Sequence, residues 1–135
     1  MAVTPPPPAE GEYYPPPDHD CEELPGFPIV ISGTERIAGR ALEHRGKVVD
    51  FSISLQIRDA SGAVWVEVAR IDCRHGTVHK HQFNRSGREA KVTKIRDIPS
   101  GSDEEAWDVV DSGYDSATEL FTTQAESHVR AWRKS

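Results

Sequence analysis

The sequence predicts an α+β domain of four to five antiparallel strands in a meander, with one long C-terminal helix packed on one face. Three observations carry this expectation. Val49, Phe51, Ile53, Leu55 and Ile57 alternate with Asp50, Ser52, Ser54, Gln56 and Arg58, the period of a strand with one buried face. Turn signals at Asp59-Ala60-Ser61-Gly62, His75-Gly76 and Ser86-Gly87 divide the runs that follow. Beyond Pro99, residues Tyr114, Ala117, Phe121, Ala125, His128 and Trp132 fall on one stripe at helical spacing.

Residues 1–28 hold nine of the ten prolines, six acids and no Lys or Arg. Prolines donate no backbone hydrogen bond, so this segment is expected as a disordered or extended acidic tail. A single domain over 29–135 follows, with 16 acids balanced by 16 bases. Glu35–His44 reads either as a strand closed by Arg45-Gly46 or as a short helix, because Ile37, Ala38, Ala41 and Leu42 also have helical spacing. After the 49–57 strand, Ala63–Cys73 is rich in β-branched and aromatic residues. Thr77–Arg85 and Arg88–Arg96 complete the meander. Ser102-Asp103-Glu104-Glu105 and Ser112-Gly113-Tyr114-Asp115 both have capping-box form. The second is expected to start the long helix, whose basic end (Arg130, Arg133, Lys134) suits the helix dipole.

Composition excludes some classes. No run of 18 apolar residues exists, so no membrane span is expected. The first residues carry neither a basic nor an apolar stretch, which argues against a secretory leader. Cys21 and Cys73 fit no disulfide framework or zinc spacing, and a cytoplasmic, reduced protein is the expectation.

Loops of four, two and two residues set a strand register. Ile57 then faces Val64, Leu55 faces Val66 and Ile53 faces Val68; Arg70 faces His81 and Asp72 faces His79; His81 faces Val92 and His79 faces Lys94. One face collects the apolar members, including Phe83, for the helix to cover. At its end stand Arg70, Asp72, His79, His81 and Lys94. Polar groups on a core-side face must pair or line a cleft.

This cluster suggests metal-independent cleavage of RNA. Alternate strand residues lie roughly 6.5–7 Å apart, so His79 and His81 are expected to flank a phosphate as base and acid. Asp72 would orient His79, and Arg70 with Lys94 would stabilise phosphoryl charge. No cofactor is needed. Residues 70–96 hold eight Lys or Arg against two acids, a patch suited to a phosphate backbone. Metal binding by His79, His81, Asp72 and His75 ranks behind, since Arg70 and Lys94 repel a dication. The third reading is a non-enzymatic interaction module in which the cluster is a structural network. Trp65 is expected under the N-terminal segment, and His128 either in the core or as a sixth cluster member. Basic neighbours of Cys73 are expected to lower its thiol pKa.

The run Trp65–Phe83, with its His75-Gly76 turn and His79-Lys80-His81 strand, followed by Gly113-Tyr114-Asp115 and Trp132, resembles small uncharacterised bacterial proteins similar in layout to TumE-type toxins of toxin–antitoxin pairs. The resemblance spans residues 45–134. It implies a sheet-plus-helix fold, an action on RNA or translation, and a cognate antitoxin as partner. It assigns no catalytic duty to any single residue.

Overall fold

The computed structural model describes residues 12–59 and 61–135. The class is α+β, with strands β1 (Glu22–Glu23), β2 (Ile29–Val30), β3 (Glu35–His44), β4 (Lys47–Ile57), β5 (Val66–Asp72), β6 (Thr77–Phe83) and β7 (Glu89–Asp97), then helices α1 (Glu104–Thr123) and α2 (Ala125–Arg133). The strands form one antiparallel sheet of seven, ordered β1-β3-β4-β5-β6-β7, with β2 also paired to β3. The count exceeds the expected four or five because two short strands, β1 from the N-terminal segment and β2 just after it, are added to the outer side of β3.

That segment corrects the expected tail. Residues 1–11 lie outside the described residues, but residues 12–28 run along the domain. Tyr13 is buried, Gly101 N–H donates to the Glu12 carbonyl at 3.1 Å, and Tyr14 N–H donates to Gly101. Leu24 N–H reaches the Ala41 carbonyl at 2.9 Å. The prolines remove donors, yet the tyrosine, Leu24 and Phe27 between them supply apolar anchors that pack on the core.

Glu35–His44 is a strand, not a helix. Arg45 (φ 52) and Gly46 (φ 82) make a two-residue turn that sets His44 opposite Lys47. Both turn positions have positive φ, the geometry that matches the twist of paired strands. His75 (φ 57) and Gly76 (φ 75) repeat the device between β5 and β6, as the His-Gly signal led one to expect.

Helix α1 begins earlier than expected. Asp103, rather than Ser102, is the N-cap, and its carboxylate accepts the Ala106 N–H at 3.1 Å. Ser102 instead accepts from the Trp107 indole N–H at 3.0 Å. The second capping-box sequence lies inside α1, where Gly113 lets the helix approach Val78 closely. The single long helix is divided at Gln124 (φ −120, ψ 23). Thr118, Thr122 and Thr123 each donate a hydroxyl back to the carbonyl four residues earlier, a habit that bends and weakens a helix end. The expected stripe is otherwise present: Ala117, Phe121, Ala125 and His128 are buried, and Tyr114 and Trp132 pack against the core.

The β4–β5 register differs from expectation. Ile57 pairs with Val66, Ile53 with Ile71, Ser54 with Arg70 and Ser52 with Asp72. Strand β5 starts at Val66 instead of Ala63, and a bulge between the Gln56 and Leu55 pairings takes up Val68. The combined slip is odd, so it exchanges faces. Ile53, Leu55, Ala69, Ile71 and Val78 form the buried centre under the helices. Lys80 and Gln82 follow on that side: Lys80 Nζ donates to His128 Nε2 at 3.0 Å, and Gln82 donates to the His128 carbonyl at 3.5 Å. Burial lowers the His128 pKa below its ordinary value. His128 is thus a core residue on the helix side.

Candidate functional site

The consequence for the site is direct. Arg70 pairs with His81 and Asp72 with His79, as expected, and His81 with Val92 and His79 with Lys94. These residues share one face, but it is the face that the helices leave open, not the one beneath them. The expectation placed them core-side because it took a four-residue loop before β5.

On that open face the cluster is nonetheless shielded. The side chains of Asp72, His79 and His81 are 5%, 11% and 14% exposed. Nε2 of His79 lies 2.9 Å from Asp72 Oδ1, and Nε2 of His81 lies 3.4 Å from Asp72 Oδ2. The imidazole planes meet edge to face, with ring centroids 4.7 Å apart. This is closer than a phosphate flanked by the two rings requires, because both converge on one carboxylate.

Each imidazole is held through its other nitrogen. Nδ1 of His79 lies 3.3 Å from the Thr77 carbonyl and 3.1 Å from its hydroxyl. Nδ1 of His81 contacts the Glu89 carboxylate. The Glu89 carboxylate only accepts, so His81 Nδ1 donates; His79 Nδ1 donates to the Thr77 carbonyl in its Nδ1–H tautomer and accepts from the Thr77 hydroxyl in the other. Asp72 Oδ1, although 2.9 Å from an imidazole, receives no aligned hydrogen bond and is among the buried polar atoms left without a partner.

Arg70 sets its Nε 3.4 Å from Asp72 Oδ2 and its Nη1 3.5 Å from Glu67; its guanidinium also lies 5.3 Å from the Phe83 ring centroid. Phe83 stacks near-parallel with His81 at 6.2 Å, so it too belongs to the open face. Glu67 accepts the Ser54 hydroxyl from the neighbouring strand. Lys94 lies opposite His79 in register, but its ammonium is on Asp97 at 3.2 Å and its side chain is 59% exposed. Of the five expected residues, the structure brings four together and turns the fifth away.

Sequence reasoning missed Thr77, Glu89, Glu67, Ser52 and Arg74. Thr77 sits two residues before His79, and strand alternation alone would have included it. Glu89 was hidden by a bulge that sets Phe83 opposite Glu89 instead of Ala90. Ser52, Arg70, Asp72 and Arg74 line a cavity of about 300 Å³. A smaller one beside it is lined by Arg40, Asp50, Ser52 and Arg74. At that end Asp18 of the N-terminal segment pairs with Arg40 at 3.3 Å.

Other expectations change too. Trp65 lies between the Arg36 and Arg58 guanidiniums, 4.2 and 4.6 Å from the ring centroid, instead of under the N-terminal segment. Cys73 is buried, and desolvation with the Asp50 carboxylate raises its pKa well above the usual thiol range, the opposite of the expected activation. His75, exposed in its turn, is no neighbour of the cluster's ligand atoms.

Among the described residues no helix is long and apolar enough to cross a membrane. No curated protein and no solved structure matches the chain. Residues 19–130 match the family model of DUF7718, a domain of unknown function; with most of its length inside that match, the chain belongs to this family.

Proposed function

We propose that the protein binds RNA on the uncovered face of its sheet, with the phosphate backbone held by Arg70, Arg74 and Arg40. The observation that carries this is the cavity lined by Ser52, Arg70, Asp72 and Arg74, beside the two imidazoles. Two guanidiniums and a hydroxyl offer converging donors to a phosphate.

Cleavage of the bound strand is the stronger form of the reading. Metal-independent cleavage would need one imidazole to leave Asp72, since the two rings do not straddle a phosphate-sized gap. A cytoplasmic site of action belongs to the same proposal, and both cysteines are free thiols. So does the toxin role implied by the resemblance to TumE-type proteins, with an antitoxin covering the open face. The alternative is a non-enzymatic interaction module; the burial of Asp72 within its ion pairs favours a structural network.

Fluorescence anisotropy with a short single-stranded RNA across a salt series tests the proposal. Binding is expected to weaken with salt, and replacing Arg70 and Arg74 by Gln should flatten the log–log slope by about 1.4, at ~0.7 per lost phosphate contact. No retention at low salt, or an unchanged slope in the double variant, would refute it.

A further inference from the structure

We propose that Asp72, His79 and His81 form a binding site for one divalent first-row transition ion of the zinc class. The inference does not rest on the RNA reading and is tested on the protein alone.

The three residues each present one ligand atom, and these atoms all lie within 4.8 Å of one another. His79 Nε2 stands 2.9 Å from Asp72 Oδ1 and His81 Nε2 stands 3.4 Å from Oδ2, so each imidazole nitrogen meets its own oxygen of the carboxylate. Donors bound at about 2.0–2.2 Å from one ion stand roughly 3.0–3.5 Å from each other in tetrahedral or octahedral arrangement. Two imidazole nitrogens with one carboxylate oxygen suit zinc, iron, cobalt or manganese better than calcium or magnesium, which prefer oxygen.

The orientation of the rings is the stronger argument. His81 Nδ1 donates outward to the Glu89 carboxylate, and His79 Nδ1 does the same to the Thr77 carbonyl in its Nδ1–H tautomer. In these neutral tautomers both Nε2 atoms are left unprotonated beside the carboxylate of Asp72. Arg70 meets only Oδ2, so the two Nε2 atoms and Oδ1 stand together as a ligand set with capacity for a further cation. Metal-ligating histidines are commonly fixed in this way, with the distal N–H given to a carbonyl or carboxylate. Asp72 Oδ1 adds an independent sign, being buried with no hydrogen-bond partner, whereas Oδ2 is the oxygen that Arg70 approaches.

The charge objection raised by the sequence weakens on inspection. Lys94 is neutralised by Asp97 and faces solvent. Arg70 is shared between Glu67 and Asp72, and Glu89 supplies a further negative charge beside His81. With three protein ligands the ion keeps open positions. Asp72 also lines the cavity of Ser52, Arg70 and Arg74, so the remaining ligand is water or an oxyanion such as phosphate.

The experiment uses the full chain, dialysed against a chelator and then titrated with Co²⁺ while visible d–d absorption is followed. Zn²⁺ affinity is measured by competition with a chromogenic chelator. One equivalent is expected to bind, with His79→Gln or His81→Gln weakening Zn²⁺ by tenfold or more. Glu89→Gln, at a half-exposed position that leaves the fold intact, should weaken it by about ten- to a hundredfold. His75→Gln should bind as wild type does, and millimolar Mg²⁺ should not compete. Melting curves on each variant separate lost ligands from lost structure. Absence of d–d bands in the wild type would overturn the proposal and leave the cluster as an ion-pair network. Binding that survives His81→Gln and Glu89→Gln in folded protein would overturn it equally, by placing the metal elsewhere.

Discussion

Ser52 lies directly opposite Asp72 across β4 and β5, and this pairing puts the polar half of β4 and the His-Asp-His cluster on the same uncovered face. Its counterpart one residue along, Ile53 opposite Ile71, is fully buried against the helices.

The two positions should therefore respond very differently to truncation. Ile71→Ala removes a core side chain and should cost about 2–5 kcal/mol. Ser52→Ala should stay within about 0.5 kcal/mol, as for most surface changes. Urea denaturation of both variants checks this, and a reversed order would mean that the faces have been assigned the wrong way round.

Tyr13 tests whether residues 12–28 belong to the domain. Its ring is buried and its hydroxyl donates to the Val49 carbonyl. Tyr13→Ala should destabilise the protein by about 3 kcal/mol, in the range for large aromatic truncations. A loose tail would give no change in the denaturation midpoint.

Gly39 faces Ile53 across β3 and β4, and a Cβ there would sit 2.4 Å from the Ser52 carbonyl oxygen. Backbone cannot yield as a flexible side chain can. Gly39→Ala should cost about 1–3 kcal/mol, the range for overpacking, and calorimetry should record a lower melting temperature. An unchanged melting temperature would contradict this packing.

His128 should make stability depend on pH. Burial depresses its folded-state pKa, with Lys80 nearby acting in the same direction. The unfolded chain keeps the ordinary value of about 6.5. Between these two values the unfolded state binds the extra proton, so stability rises with pH across that window. The contribution is complete above about 6.5 and declines as the pH falls below it. His128→Gln keeps an acceptor for Lys80 without the titration, so the wild type's advantage over it should shrink as the pH is lowered from about 7 to 5. A gap that widens on acidification would reverse the assignment.

Much of the sheet was legible because local signals agree with it. The His75-Gly76 turn fixes the β5–β6 register, and with it the meeting of Arg70, Asp72, His79 and His81. The face was not legible, since the turn signal at Asp59-Ala60-Ser61-Gly62 does not say that β5 begins only at Val66, and the bulge at Val68 adds a residue that no pattern announces. Val68 and Ala69 are both fully buried, which breaks the alternation from which faces are read. The same cause hid Glu89. The destination of a long flexible side chain is also not written in register: Lys94 is paired with His79 by backbone, yet its ammonium goes to Asp97. Residues 12–28 were misjudged because proline content outweighed Tyr13, Leu24 and Phe27, which pack on the core.

The most direct measurement is an NMR titration of the ¹⁵N-labelled chain with a short single-stranded RNA at low salt. The account predicts shift changes concentrated on the open face, at Ser52, Arg70, Asp72, Arg74, His79, His81 and Val92, with Lys80, Gln82 and α1 little affected. Changes centred on the helices, or none at saturating RNA, would contradict it.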